Sequence, residues 1–308
     1  VVRLSPGVDI LGNDISPSVT RYLFAQTEAF DVMHAHSHLY FVTNMAALRR
    51  QLGGPPLAIT NHGLFSQSAP ERVFRWYLKT LGQWTFNQAD VVFCYTQVDK
   101  ERVRELGVSS RLEVVSNGID TERFTLKGPE SELIDAEGPV VLFVGRFAEG
   151  KRPWLAIEAF VEVLDEYPGA ELYLCGDGKL RGDLKTQVTE LGIEEAVTFL
   201  GHVPYEEMPK VYRSGDILIL PSRAEGVPRT VLEAMASGTA VVTSQLEQIE
   251  NIVNSSGQTI EDMSAGSLSD SILNLLNPAG EIEEQAVVNH QWRSTVEDTT
   301  AYLESISY

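Results

Sequence analysis

The sequence predicts an α/β protein with two parallel β-sheets, each in a domain of its own. Short apolar segments alternate with helical patterns from one end of the chain to the other, which is the order that parallel α/β sheets require. The 308 residues suit two domains of about 150 residues better than one. We therefore expect two α/β domains, each built on a parallel sheet.

Strands are predicted where a short apolar segment lies between turn or helix signals. In the first half of the chain these segments are 32–36, 57–60, 91–95 and 112–115, with helices predicted at 70–89 and 97–106. In the second half the strands are predicted at 140–144, 171–174, 197–200, 217–220 and 240–243, and the helices at 153–167, 179–191, 208–214 and 230–236.

A polar and acidic stretch over 125–138 separates the two series of strands and helices. It predicts a first domain over 1–130 and a second over 138–280. The remaining segment, 281–308, has a helical pattern, and we expect it to cross back and pack on the first domain.

The chain is strongly acidic, with a net charge of −19 and only 24 basic residues against 43 acidic ones. Excess acid with few lysines is typical of proteins adapted to high internal salt, so we expect a halophilic protein. We see no basic stripe, polybasic patch or basic amphipathic helix, which argues against nucleic acid and against docking on anionic lipid. No apolar run reaches the roughly 18–20 residues of a membrane-spanning helix. The two cysteines, Cys94 and Cys175, lie in separate apolar segments and indicate reduced core thiols of a cytoplasmic protein.

Two glutamates, Glu225 and Glu233, flank the start of the predicted helix at 230–236. Glu225 follows the strand at 217–220, and ligands of open α/β sheets bind at that end of the strands. Glu233 is expected on the first helical turn, whose unpaired N–H groups favour an anion nearby. A solvated loop glutamate and a favourable partner of the helix dipole are the simpler interpretations. The functional interpretation is that the two glutamates belong to a site for a sugar nucleotide.

The segment from Asp216 to Gly238, continued by Ala240-Val241-Val242, resembles the donor-site motif of the retaining GT-B glycosyltransferases of family 4. The resemblance implies that Glu225 holds sugar hydroxyls and Glu233 the ribose hydroxyls of a nucleoside-diphosphate sugar, with UDP or GDP as the expected nucleotide. It also implies two Rossmann-like domains that face each other across a cleft, and it implies no cofactor and no metal.

A second segment, Val141 to Lys151, resembles the "VGRL…EKG" loop of that family. Arg146 can fork two oxygens of a pyrophosphate, and Lys151 can add a point charge. Both would stabilise the departing diphosphate. Solvated loop cations are the alternative.

Other segments resemble the family more weakly. Asn117-Gly118 with Phe124 resembles its inter-domain turn, and we expect Phe124 to fill the seam between the domains. The glycine turn at 174–178 is expected to line the nucleotide site. The predicted donor-binding set, besides Glu233, is Val203, Gly145, Gly226, Thr230 and Val231.

Histidines mark the first half of the chain. His34, His36 and His38 alternate, which would place them on one face of a strand and makes a metal site conceivable, although no acidic or cysteine ligand lies nearby. Thr60-Asn61-His62-Gly63 resembles the family's "T-x-H-G" turn, so His62 is a candidate hydrogen-bond donor to the sugar or diphosphate. A buried structural histidine is the alternative.

The chain departs from the family in two places. By comparison, something like the first 50–60 residues, with a strand, a glycine-rich loop and a helix, are missing, so we expect a fragment of a longer protein. The loop at 244–251 also replaces the family's Gly-Gly-Ile-Pro-Glu.

The predicted function is transfer of a glycosyl group, with retention, to a glycan, lipid-linked or small-molecule acceptor. The location expected is the cytoplasm, with the inner membrane face as an option. Two alternatives remain open: a sugar-nucleotide epimerase or phosphorylase on the same scaffold, and a non-catalytic nucleotide-sugar-binding subunit.

Overall fold

The computed structural model describes residues 2–5, 7–10, 13–26, 30–65, 70–253, 257–277 and 290–307. It divides into two compact units: the first contains Val1–Asn117 and Arg293–Tyr308, and the second contains Gly118–Trp292. Both units are α/β with parallel main sheets, which confirms the predicted fold class.

The first unit is built on a four-stranded parallel sheet in the order β3-β4-β5-β6. Its central strands β4 and β5 are buried along their whole length, as expected for a parallel sheet covered on both faces. The elements of this unit are β1 (Val8–Ile10), β2 (Asn13–Ile15), α1 (Pro17–Gln26), β3 (Met33–His36), α2 (Phe41–Gln51), β4 (Leu57–Thr60), α3 (Glu71–Tyr77), α4 (Gln83–Asn87), β5 (Val91–Cys94), α5 (Gln97–Glu105) and β6 (Arg111–Val114).

Helices α3 and α4 form one continuous helical stretch, because a π-helical segment, Leu78–Gly82, joins them. The C-terminal helix α12 (Trp292–Ile306) belongs mostly to this unit. Its side chains Tyr302, Leu303 and Ile306 pack against the buried Val91 and Phe93 of β5. Most of the segment between the second unit and this helix, 278–289, lies outside the described residues.

The second unit is built on a six-stranded parallel sheet in the order β12-β11-β10-β7-β8-β9. Strand order therefore reverses between β7 and β10, which gives the doubly wound arrangement. Its elements are β7 (Val140–Val144), α6 (Pro153–Glu166), β8 (Glu171–Cys175), α7 (Arg181–Leu191), β9 (Val197–Gly201), α8 (Met208–Arg213), β10 (Ile217–Leu220), α9 (Arg229–Ala236), β11 (Ala240–Ser244), α10 (Glu250–Val253), β12 (Gly257–Ile260) and α11 (Ala265–Leu276).

The core of the second unit lies between the sheet and helices α6, α7 and α11. Phe143 and Val242 from the sheet meet Phe160 of α6 and Leu268 of α11, all of them buried. A continuous apolar layer of this kind fixes the strand ends, and with them the loops described below. Within the described ranges, no helix has the length and apolar character needed to cross a membrane.

Several strands have no apolar pattern from which they could be predicted. Strands β1 and β2 have three residues each. The edge strand β12 has the sequence Gly-Gln-Thr-Ile, with one strongly apolar residue. Such segments are strands because a neighbour pairs with them, and pairing is a tertiary effect.

Candidate functional site

The candidate site lies at the point where strand order reverses in the second unit. Strands β7 and β10 are direct neighbours there, with Ile217 opposite Val141 and Ile219 opposite Phe143. The loops that follow the two strands are joined by a hydrogen bond from the Arg223 N–H to the Gly150 carbonyl, at 2.8 Å. Ligands of doubly wound sheets bind at such a switch point.

Lys151 and Glu225 form an ion pair across these two loops. Lys151 ends a short 3₁₀ turn after β7, and Glu225 lies on the loop after β10. Only 15% of the lysine side chain and 11% of the glutamate side chain are exposed. The structure thus brings together two residues that are 74 positions apart in the sequence, and it holds a cation and an acceptor side by side at the switch point.

Further cations lie on the same two loops. Arg146 is exposed after β7. Arg152 immediately precedes helix α6 and takes a left-handed conformation with φ of 48°, which is unusual for a residue with a side chain. Burial and the positive charge of Arg223 lower the pKa of Arg152. Positively charged side chains of this acidic chain are therefore concentrated on the two loops that follow β7 and β10.

Glu233 lies on helix α9, which begins one residue earlier than the sequence predicted. The helix begins at Arg229, so Glu233 is its fifth residue and belongs to the second turn. Its carboxylate accepts hydrogen bonds from the hydroxyls of Tyr205 at 3.2 Å and Tyr212 at 3.3 Å. The Arg229 guanidinium lies 3.3 Å from the same carboxylate.

Burial raises the pKa of Glu233, while Arg229 and the two tyrosine hydroxyls act in the opposite direction. Arg229 also donates to the Tyr205 hydroxyl at 2.6 Å. The carboxylate is thus held by three side chains, in a residue of which only 5% is exposed. Neither tyrosine was identified from the sequence, because each lies more than 20 residues from Glu233 and only the fold brings them together.

The sequence analysis expected Phe124 to fill a seam between the domains. In the structure its ring packs against residues of the second unit. Its ring lies 5.5 Å from that of Tyr205 and 6.0 Å from that of Tyr212. The Arg123 guanidinium lies over the Tyr205 ring at 5.3 Å. The segment at 123–124 therefore supports the tyrosines that hold Glu233.

The glycine turn after β8 supports the loop that carries Arg146. Gly176 has φ of +149°, and a Cβ atom built there would lie 1.9 Å from the Gly145 carbonyl oxygen. Gly178 is equally close-packed against the backbone of Phe147. The Phe147 N–H donates to the Asp177 carbonyl at 2.9 Å. Only glycine fits this contact, so the turn fixes the position of the Gly145 backbone.

The remaining predicted donor-binding residues surround these loops. Val203 and Gly226 are buried, and Thr230 is half-buried on the first turn of α9. The Val231 N–H donates to the Pro228 carbonyl at 3.1 Å, and its side chain is fully buried. The loop after β11 is anchored by the buried Ile249. The roles of all these residues toward a ligand stay predictions.

In the first unit, the three alternating histidines do not share one face, contrary to the expectation. The rings of His34 and His36 are neighbours, 4.5 Å apart. Ser37 then takes a left-handed φ of 64°, which ends the alternation. His38 is consequently buried against Phe86, with ring centroids 4.6 Å apart. In the part of the chain that the structure describes, no group of three or more His, Cys, Asp or Glu side chains could hold a metal ion.

His62 lies in a short chain of hydrogen bonds. Its Nε2 is 3.1 Å from His36 Nδ1, and its Nδ1 is 2.7 Å from the Tyr95 hydroxyl. Burial, and then the charge of His36, lower the pKa of His62 to about 4, so the ring is neutral at physiological pH. A cavity of about 460 Å³ in the same unit is lined by His34, His36 and residues of α2. The predicted role of His62 toward a donor stays a prediction.

The class of the protein follows from these observations: it is an α/β protein of two parallel-sheet domains, the second doubly wound with charged residues at its switch point, which is the GT-B class. The chain belongs to the glycosyl transferases group 1 family, whose model matches residues 126–289. The model of glycosyltransferase family 4 matches residues 4–123. The suspected family is confirmed.

Individual relatives are distant. The chain is 27% identical over 245 residues to the UDP-Gal:alpha-D-GlcNAc-diphosphoundecaprenol alpha-1,3-galactosyltransferase of Escherichia coli, covering 76% of this chain and 62% of that protein. It is 31% identical over 240 residues to the D-inositol 3-phosphate glycosyltransferase of Nocardia farcinica, covering 71% of this chain and 52% of that protein. The chain thus spans between about half and three fifths of the length of these curated relatives.

Among solved structures, Anabaena Alr3699/HepE in complex with UDP and glucose superposes with a TM-score of 0.77 at 20% identity, covering 95% of this chain and 82% of that one. Sucrose-phosphate synthase from Thermosynechococcus elongatus gives a TM-score of 0.75 at 20% identity, covering 94% of this chain and 76% of that one. At this identity the likeness concerns the fold.

Proposed function

We propose that this protein transfers a glycosyl group from a nucleoside-diphosphate sugar to an acceptor nucleophile, with retention and without a metal ion. The observation that carries the proposal is the Lys151–Glu225 pair at the switch point of the second sheet. The held carboxylate of Glu233 on the following helix supports it. A cation for a phosphate and two acceptors for hydroxyl groups are the functional groups that a sugar nucleotide requires.

In the proposed mechanism, Glu225 accepts hydrogen bonds from hydroxyls of the donor sugar and Glu233 from those of the ribose. Arg146 and Lys151 face the diphosphate, which gains negative charge as the bond to the anomeric carbon breaks. The acceptor oxygen bonds to the anomeric carbon on the same face, and its proton passes to an oxygen of the departing phosphate. Positively charged side chains meet the developing charge, so the reaction needs no resident metal.

The relatives support uridine nucleotides as donors. The Escherichia coli relative is named for UDP-Gal, and the Anabaena structures hold UDP, UDP with glucose, or UDP-glucose. The named acceptors differ, since one is a diphosphoundecaprenol lipid and another an inositol phosphate. The proposal therefore includes glycan, lipid-linked and small-molecule acceptors alike.

Cys94 and Cys175 are free and buried, which supports a reducing compartment such as the cytoplasm.

The chemistry can be tested without knowing the acceptor, because water is a slow substitute for it. UDP-glucose is incubated with the protein, with and without EDTA, and the first anomer of released glucose is identified by proton NMR. We expect the α-anomer, unaffected by EDTA and slowed about 10²- to 10³-fold in Arg146→Ala. The β-anomer or inhibition by EDTA would contradict retention or metal independence, respectively.

Glu225 needs a matched pair of variants, because removing one partner of a buried ion pair leaves the other uncompensated. Glu225→Gln tests the acceptor role, and the double variant Lys151→Met/Glu225→Gln keeps the site neutral. We expect both to fold and neither to release glucose at the original rate. Full activity in the double variant would refute the proposed site.

A further inference from the structure

The two tyrosines that hold the Glu233 carboxylate differ in their surroundings. Tyr212 is fully buried on helix α8, whereas 38% of Tyr205 is exposed on the loop between β9 and α8. The Thr239 hydroxyl donates to the Tyr212 carbonyl at 2.5 Å, which fixes the buried residue further. Tyr212 is therefore part of the core, and Tyr205 is placed where a side chain can turn toward solvent without opening the core.

The Tyr205 hydroxyl links a cation to the carboxylate. It accepts a hydrogen bond from the Arg229 guanidinium at 2.6 Å and donates one to Glu233 Oε1 at 3.2 Å. Burial, and then the charge of Glu233, raise the pKa of Tyr205 to about 12, so the hydroxyl keeps its proton and can donate. A ribose hydroxyl between the same two groups would make the same two hydrogen bonds, because an alcohol both accepts and donates.

The Glu233 carboxylate has limited room for further donors, since it accepts about four hydrogen bonds in all. Tyr205 and the Arg229 guanidinium, at 3.2 and 3.3 Å, already lie against Oε1. Tyr212 lies against Oε2 at 3.3 Å. These three side chains and the two hydroxyls of a ribose exceed the capacity of the carboxylate, so one resident donor must leave when both hydroxyls bind. Loss of Arg229 would leave a buried charge without its cation, so loss of the tyrosine hydroxyl is less costly.

We propose that Tyr205 is a displaceable occupant of the ribose position on Glu233. Its hydroxyl leaves the carboxylate when a nucleotide binds and returns when the nucleotide departs. In the empty site it satisfies an acceptor that would otherwise be buried without a donor. During release it competes with the nucleoside diphosphate product, whose departure limits the rate of many enzymes. The inference rests on the proposed function, because it takes Glu233 as the acceptor for the ribose hydroxyls.

The ring of Tyr205 is held independently of its hydroxyl. It lies 5.5 Å from the Phe124 ring, and the guanidinium groups of Arg123 and Arg229 lie over it at 5.3 and 5.5 Å. Removing only the hydroxyl therefore keeps the contacts that place the loop. Tyr205→Phe is for this reason a specific test, and Tyr212→Phe makes the same chemical change at a hydroxyl that stays in place.

Calorimetric titration of UDP, 2′-deoxy-UDP and 3′-deoxy-UDP into the unsubstituted protein and these two variants tests the proposal. If the protein prefers GDP, the guanosine series replaces the uridine series. We expect Tyr205→Phe to bind the ribonucleotide about tenfold more tightly, because a hydrogen bond to a charged group no longer competes with the ribose. The deoxynucleotide that lacks the displacing hydroxyl should bind Tyr205→Phe and the unsubstituted protein with nearly equal affinity. Tyr212→Phe should not bind the ribonucleotide more tightly.

Stopped-flow displacement should show the nucleoside diphosphate leaving Tyr205→Phe about tenfold more slowly, and circular dichroism shows whether each variant is folded. Unchanged or weaker binding by folded Tyr205→Phe would refute the displaceable role and leave the donor site standing, provided that the unsubstituted protein binds the nucleotide. Equal tightening for the ribonucleotide and both deoxynucleotides would also refute it, because no competition with a ribose hydroxyl would be involved. A folded protein that binds neither UDP nor GDP would refute the donor site and this inference together.

Discussion

Replacing Gly176 by alanine tests whether the glycine turn after β8 holds the loop of the candidate site. The alanine Cβ would lie 1.9 Å from the Gly145 carbonyl oxygen, on a residue with φ of +149°. The unfavourable backbone conformation costs about 1–3 kcal/mol, and overpacking against fixed backbone costs about 1–3 kcal/mol more. The expected loss of folding free energy is therefore about 4 kcal/mol.

Scanning calorimetry measures this loss, which corresponds to a fall in Tm of roughly 8–16 °C for a domain of this size. Gly182→Ala is the matched control, because no atom lies within 4 Å of its added Cβ and the residue is in helix α7. That variant should be more stable by about 0.5–1 kcal/mol. An unchanged Tm in Gly176→Ala, or equal effects of the two substitutions, would refute the tight contact between the turn and Gly145.

Three further predictions concern charge. Burial raises the pKa of Glu233 above 4.5, so the ionised side chain makes folding less favourable as pH rises past that value. Glu233→Gln should therefore raise Tm at pH 8 more than at pH 4.5. In calorimetry the same variant should bind UDP about tenfold or more weakly. Burial lowers the pKa of His38 from 6.5 to about 3, so folding stability should fall as pH drops below 6.5. Thermal unfolding at several pH values should show a less steep fall in His38→Leu than in His202→Leu, the control at an exposed histidine. Because the net charge is −19, raising KCl from low to molar concentration should raise Tm, and a Tm independent of KCl would contradict halophilic adaptation.

The sequence was sufficient for features that depend on local pattern. The buried strands β7 and β10 are continuous apolar segments, and the loops with Lys151 and Glu225 follow directly from where those strands end. Since the carboxyl ends of parallel strands meet at one edge of a sheet, the fold class and the position of these loops could be predicted.

Features that depend on the path of the chain could not be predicted in this way. The tyrosines that hold Glu233 come from the loop after β9 and from helix α8, and no spacing in the sequence marks them as its partners. Ser37 turns His38 into the core through a single backbone conformation. Arg152 likewise takes a left-handed conformation that its residue type does not suggest.

The central claim is that a nucleoside diphosphate binds at the switch point of the second sheet, and calorimetric titration tests it most directly. UDP, GDP and ADP are titrated separately into the unsubstituted protein and into two variants. One variant is Lys151→Ala, and the other is the control Lys127→Ala, which removes an exposed lysine of the same unit. We predict saturable binding of UDP or GDP that is weakened at least about tenfold in Lys151→Ala, as expected for a lost charged contact, and unchanged in Lys127→Ala. A folded protein that binds none of them, or binding that is unaffected by loss of Lys151, would contradict the account.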